Sequence, residues 1–187
     1  MQDAERFFVI TGGPGSGKTT LIEALAAGGF TRTIEAGRAV IQEQLARGGD
    51  ALPWKNPAVF AEQMLEQDIR SYEMATAQTG PVLFDRGIPD VIGYLRLSGL
   101  PVPAHMTKAA QDFRYHRRVF IAPPWREIYV QDAERKQDFD EAQRTYDAMV
   151  GTYTEFGYEL LELPRVSVEE RVRFVVDAIT CKGHRQH

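Results

Sequence analysis

Cysteine is almost missing from this 187-residue chain: Cys181 stands alone, so no disulfide can close within it, and a reducing cytoplasm is the expected home. Any apolar run long enough to cross a bilayer is also lacking, and Asp3, Glu5 and Arg6 ahead of only four apolar residues do not read as a secretory leader. Basic charge is not in excess. With 22 Lys and Arg against 26 Asp and Glu the net charge is −4, which offers no footprint to duplex nucleic acid or to an anionic membrane. A polyphosphate ligand must then be caught by a local pocket rather than by a global field. Internal repeats and low-complexity tracts are absent too, which excludes solenoids and disordered arrays. What remains is an ordinary globular mixture, 43% hydrophobic and 26% charged, long enough for one well-cored domain.

Within that mixture, Gly12-Gly13-Pro14-Gly15-Ser16-Gly17-Lys18-Thr19 meets the phosphate-loop pattern G-x-x-x-x-G-K-[ST] at every fixed position. Its neighbours are those the loop requires. Phe7-Phe8-Val9-Ile10 reads as a strand buried on both faces, and Thr19 to Ala27 as a helix with Leu21, Ile22 and Leu25 inward, stopped by Gly28-Gly29. Glycines let backbone N–H groups curl into a nest for phosphate oxygens, and the helix dipole adds positive potential at the same point. The expected cradle is Gly13, Pro14, Gly15, Ser16, Gly17, Lys18, Thr19 and Thr20, with Lys18 on the β- and γ-phosphates of ATP and the Thr19 hydroxyl on its Mg2+.

Pro81 to Phe84 reads as a second buried strand that ends in Asp85, Arg86 and Gly87. An acidic residue at the carboxyl end of such a strand anchors magnesium, or takes a proton from an acceptor hydroxyl; both roles are open to Asp85. The planar fork of Arg86 suits phosphate. Glu35 and Arg38, three apart at the start of a helix over 35–47, share a face near the strand ends. They are either a solvated ion pair or, with Arg86, a grip on the second substrate. Residues 125–140 are irregular and dense in both charge signs, which suits a cover that brings a cation over the transferring phosphoryl group. Arg135 is the first choice for that cation, with Lys136 and Arg126 behind it.

Other segments read as follows. Phe30 to Ile34 is a short strand, and the 35–47 helix places Ala39, Val40 and Leu45 inward. Asn56 caps a long helix with Pro57 in its first turn, and the stripe Phe60, Met64, Leu65, Ile69 and Tyr72 packs the core. Helices are expected over 89–97 and 103–113, and a strand over 119–122. Asp138 with Glu141 opens a helix that runs to Gly157, residues 159–163 form a fifth strand, and Ser167 with Glu170 opens the last helix on Val172, Val175, Val176 and Ile179. His105 and His116 have no neighbours at metal-ligand spacing and read as structural. One domain over 1–180 is expected, with a flexible tail over 181–187.

On the phosphate loop, the Asp85-Arg86 pair, Arg135 and Ser167, the chain resembles the small P-loop kinases of nucleosides, nucleoside monophosphates and related metabolites. It is most similar to AAA-labelled ATP-binding domains akin to the kinase domain of bacterial nicotinamide riboside kinases. The resemblance implies an α/β P-loop NTPase fold, three-layered α/β/α, with a five-stranded parallel sheet in the order 2-3-1-4-5. It implies transfer of the γ-phosphoryl of MgATP to a small-molecule acceptor, with neither nucleic acid nor membrane as partner. The other reading is a P-loop ATPase acting on a macromolecule, but motor ATPases carry Glu after the strand-end Asp, where this chain has Arg86. Two departures concern the acceptor. Gly87 stands where thymidylate kinases carry an aromatic residue and deoxynucleoside kinases a serine, and the 125–140 stretch lacks paired arginines at four-residue spacing.

Overall fold

The computed structural model describes residues 3–128 and 139–180. Five parallel strands, β1 (Phe7–Gly12), β2 (Thr31–Arg32), β3 (Val82–Asp85), β4 (Arg118–Ala122) and β5 (Glu159–Glu162), lie in the order β2-β3-β1-β4-β5, as the resemblance implied. The three interior strands, β3, β1 and β4, are apolar on both faces, and β1 feeds two cores at once: Phe7 and Val9 enter one, Phe8 and Ile10 the other. On the first face pack α2 (Ala36–Arg47), α3 (Pro57–Thr76), α4 (Ile88–Leu97), α5 (Ala104–Asp112) and α6 (Phe139–Glu155). On the second pack α1 (Lys18–Ala27) and α7 (Val168–Thr180), with Leu21, Ile22, Leu25 and Val175 against Phe8 and Phe120.

The expected caps form. The Asn56 side chain accepts from the Val59 amide at 3.2 Å, and Pro57 opens α3 where its missing N–H costs nothing. Ser167 and Glu170 exchange bonds at the head of α7. The Asp138 cap, Arg135, Lys136 and the 181–187 tail lie outside the described residues.

Two expectations are corrected. The second strand shortens from 30–34 to Thr31–Arg32, and Ile34 is exposed. Leu45 points outward, 61% exposed, because the inward stripe of α2 runs Ala36, Val40, Gln44 at steps of four. Gln44 holds that position because its side-chain oxygen accepts from the Ala51 amide at 3.2 Å, fastening the connector after the helix. His116 is structural, as expected: it stacks on Phe8 at 4.4 Å and accepts from the Arg118 amide. No helix among the described residues is long and apolar enough to cross a membrane.

Candidate nucleotide and acceptor site

The loop between β1 and α1 lies at the carboxyl edge of the sheet, where parallel strands end and crossover helices begin. Its carbonyls are turned inward. The Gly13 oxygen accepts from the Ser16 hydroxyl at 2.8 Å and from Lys18 Nζ at 3.0 Å, and the Ser16 oxygen accepts from Arg171 Nη1 at 3.1 Å. With the carbonyls held this way, the amides of Gly15, Ser16 and Gly17 donate to no described group and line the cleft, while Pro14 has no N–H to offer. Gly17 enters α1 at φ +79, and a Cβ there would stand 2.7 Å from Arg171 Nη1, so the loop leaves room for this guanidinium only as glycine. Anion-binding amides, a left-handed glycine and a lysine folded back on the loop are the elements of a phosphate cradle.

Lys18 is buried, and burial first and then the Arg86 charge push its ammonium down to about 7, against the pull of Asp85, Glu35 and Asp90. An anion placed against this ammonium would raise it again.

Beside the loop, β3 ends on Asp85, whose amide donates to Thr33 Oγ1. Burial and then Glu35 raise its carboxyl above the ordinary value. Arg86 follows in the left-handed region at φ 68, the one non-glycine residue with positive φ among those described. Such a backbone costs on the order of 1–3 kcal/mol and is held by its surroundings. The Arg86 amide donates to the Ile10 carbonyl at 3.1 Å, extending the β1–β3 ladder, and its guanidinium lies 3.2 Å from Asp90 and 3.5 Å from Glu35. Burial alone would lower the Arg86 pKa, but Glu35, Asp90 and Asp85 hold it above the usual arginine value. The expected phosphate fork is thus already pinned by two carboxylates. Glu35 pairs with Arg86 across the sheet edge rather than with Arg38, which is exposed at the cleft mouth and makes no ion pair among the described residues. Arg126 stacks on Phe139 at 4.1 Å and does not line the cleft.

Three residues of the site were not singled out from the sequence. Asp90, buried in the first turn of α4, accepts four donors: Thr11 Oγ1 and Arg86 Nη1 on one oxygen, the Gly87 amide at 2.9 Å and Tyr153 OH at 2.6 Å on the other. Its signal was an acid three residues after the strand-end turn, the spacing of a helix cap. Gly87 is explained at the same time. A Cβ there would meet the Tyr115 ring at 3.0 Å and Tyr153 OH at 3.1 Å, so these tyrosines occupy the space a larger residue would fill. Arg171, buried on α7, was legible only as a charge interrupting the apolar face that includes Val175. Asp68, buried on α3, sits four residues from both Met64 and Tyr72 and interrupts their stripe.

These groups share one cleft of about 1240 Å³. One end is the loop with Trp125, Ile128, Val166 and Arg171; the other runs past Asp85 and Arg86 into a recess between α2, α3 and α4 that reaches Phe60, Met64, Asp68 and Tyr94. No group of His, Cys, Asp and Glu among the described residues has the geometry of a protein-only metal site. The Thr19 hydroxyl and the Asp85 carboxylate are hard oxygen donors of the kind magnesium takes alongside substrate phosphates, and the raised Asp85 carboxyl is what an added cation would lower again.

A family model described as an AAA domain matches residues 7–171. No curated protein is similar enough in sequence to be matched with this chain. Among solved structures, the NadR protein in complex with NR superposes with a TM-score of 0.72 at 19% identity, over 93% of this chain and 50% of that one, so this chain spans half its length. Deoxyadenosine kinase from M. mycoides superposes at 0.68 with 11% identity, over 92% of this chain and 98% of that one. Thymidylate kinase from Ehrlichia chaffeensis superposes at 0.60 with 18% identity, over 94% and 98%. The fold is that of small P-loop kinases.

Proposed function

The chain belongs to the AAA domain family, and we propose that it acts there as a small-molecule kinase, transferring the γ-phosphoryl group of ATP to an acceptor held in the same cleft. The observation that carries this reading is the recess beyond Asp85 and Arg86: the cleft that holds the phosphate loop also has room for a second small molecule. Solved kinases of like fold act on small molecules, which supports it. A hydrolytic ATPase needs only a water there, and the position after Asp85 that would hold a water-polarising carboxylate is Arg86.

In this reading the free amides of residues 15–17 and Lys18 take the β- and γ-phosphates, and Lys18 exchanges the Gly13 carbonyl for phosphate oxygen. Thr19 and Asp85 would hold the magnesium ion, which supplies charge neutralisation between the phosphates when bound. Arg171 keeps the loop carbonyls turned away from the ligand through its bond to Ser16, while Trp125 and Val166 border the space left for the base. Arg86 presents positive charge at the junction of the two lobes, fixed by Glu35 and Asp90 rather than free to swing. Glu35 and Arg38 border the acceptor, and Arg135 is the arginine assigned to the transferring phosphoryl group.

The test is ADP release across a panel of nucleosides, nucleoside monophosphates and vitamin-like ribosides, with a no-acceptor control. Acceptor-dependent release with a phosphorylated product is expected. Equal release with and without acceptor refutes the kinase reading in favour of hydrolysis.

A further inference from the structure

The recess has one polar feature that nothing in the protein explains. Asp68 is 5% exposed and lines the cleft, yet its carboxyl has neither a hydrogen bond nor an ion pair among the described residues. The other buried acid of the site, Asp90, has every lone-pair position filled. An unpartnered carboxyl on a nearly buried residue, open only toward the cleft, is a group that a ligand can complete.

Its setting defines the ligand. Phe60, Met64 and Asp68 follow one another at steps of four on α3, so about 12 Å of helix presents a ring, a thioether and then a carboxyl toward the cleft. Tyr94 meets Phe60 edge to face at 5.4 Å and forms part of the same wall. The lobe is apolar along its length and acidic at its depth. Glu35, Asp85 and Asp90 surround the junction with the nucleotide lobe, and the half-buried guanidinium there, Arg86, is already shared by Glu35 and Asp90. Arg38 lies at the solvent-exposed mouth, where its charge is screened. Burial and then the charges of Asp90 and Glu35 lift the Asp68 carboxyl well above the usual range, which favours its neutral form; its carbonyl oxygen still offers donors an acceptor, and a further anion in this lobe would meet the neighbouring acids Glu35 and Asp90.

Resting on the kinase reading of the cleft, we infer that Asp68 selects the acceptor: the substrate is an unphosphorylated, neutral or cationic metabolite with a flat apolar body along Phe60 and Met64, whose hydroxyl or amino groups donate to the Asp68 carboxyl. Acceptors that already carry a phosphate or a carboxylate in that lobe are excluded.

The test pairs probes that differ only in charge. Adenosine, thymidine and the cationic nicotinamide riboside are compared with their 5′-phosphates, and shikimate serves as a carboxylate control, in the ADP-release assay on the full chain. Stimulation by an unphosphorylated member and not by its phosphate is expected. In Asp68→Asn the KM for that acceptor rises about two- to tenfold, the loss of one hydrogen bond between neutral groups, while the KM for ATP changes little. Stimulation by a phosphate or by shikimate, or an acceptor KM unmoved in Asp68→Asn, overturns this inference and leaves the kinase reading standing. Release stimulated by no probe overturns both. A second measurement separates recognition from a structural role: in the free protein, Asp68→Asn and Asp68→Leu hold or raise Tm, because each removes an unpaired buried carboxyl. A fall of several degrees in both variants makes Asp68 a structural residue and overturns the inference.

Discussion

Replacing Asp90 by alanine tests the frame of the site most directly. The carboxylate accepts Thr11 Oγ1 and Arg86 Nη1 on one oxygen, and the Gly87 amide and Tyr153 OH on the other, all in the interior. Alanine strands four donors, one of them a guanidinium that keeps only Glu35 at 3.5 Å. Breaking a buried charge pair on one side costs about 3–5 kcal/mol, and because the four donors act as one network their separate penalties do not simply add. Against the roughly 5–15 kcal/mol of a typical domain this is a large fraction. At about 2–4 °C per kcal/mol for a chain of this size, Tm falls by about 6–20 °C. Asp90→Asn is the graded control. Its single oxygen serves one pair of donors, while its NH2 faces the other pair donor to donor, so about 2–3 kcal/mol is lost. Tyr153→Phe removes one donor and keeps the ring, with a loss of about 1.5–3 kcal/mol, and should add less than its own cost to Asp90→Ala. Urea unfolding followed by circular dichroism measures all of these. If Asp90→Ala unfolds within about 1 kcal/mol of the parent, the network is not what holds Arg86 in its left-handed backbone, and the argument fails.

The remaining predictions concern the nucleotide. Lys18→Ala abolishes ATP turnover while circular dichroism and urea unfolding show an intact fold; unchanged turnover contradicts the phosphate cradle. Arg135→Ala lowers kcat more than it weakens ATP binding, and equal losses in both reduce this arginine to a binding role. Lys18 also predicts a pH dependence of stability in the free protein. Its folded value is about 7, whereas the unfolded chain keeps the usual value near 10.4, so the unfolded state binds the extra proton between them. The penalty is therefore fully present below pH 7 and is relieved as pH rises toward 10, by up to about 1.4 kcal/mol per pH unit. Urea midpoints from about pH 6.5 to about 9.5 should rise in the parent and flatten in Lys18→Met, and identical slopes refute the assignment.

Much of this molecule was legible in the chain because its signals are local. The loop at 12–19 is read from spacing alone, strand β1 from four apolar residues, and the Asn56 and Ser167 caps from side chains that act within three residues. Asp85 was legible because a strand end is a position in sequence as well as in space. The rest was hidden by distance along the chain. Glu35 turned from Arg38, three residues away, to Arg86, fifty-one residues away, and no periodicity encodes that choice. Leu45 was assigned inward on hydrophobicity, but Gln44 beside it took the place through a bond to Ala51, a polar contact in an apolar stripe. Asp68 and Arg171 were each charges in such a stripe. That irregularity is a usable signal, because a charge on a core-facing stripe must be answered by a partner or by a ligand.

The bond from Arg171 to the Ser16 carbonyl joins residues 155 positions apart. During synthesis the ribosome delivers the loop early and its guanidinium brace only after β5, when α7 begins to emerge. A nascent chain halted before that helix carries the complete phosphate motif but lacks the group that holds its Ser16 carbonyl. The proposed phosphate cradle is therefore braced only once α7 has been made, and nucleotide binding by the emerging polypeptide would report that this helix is in place.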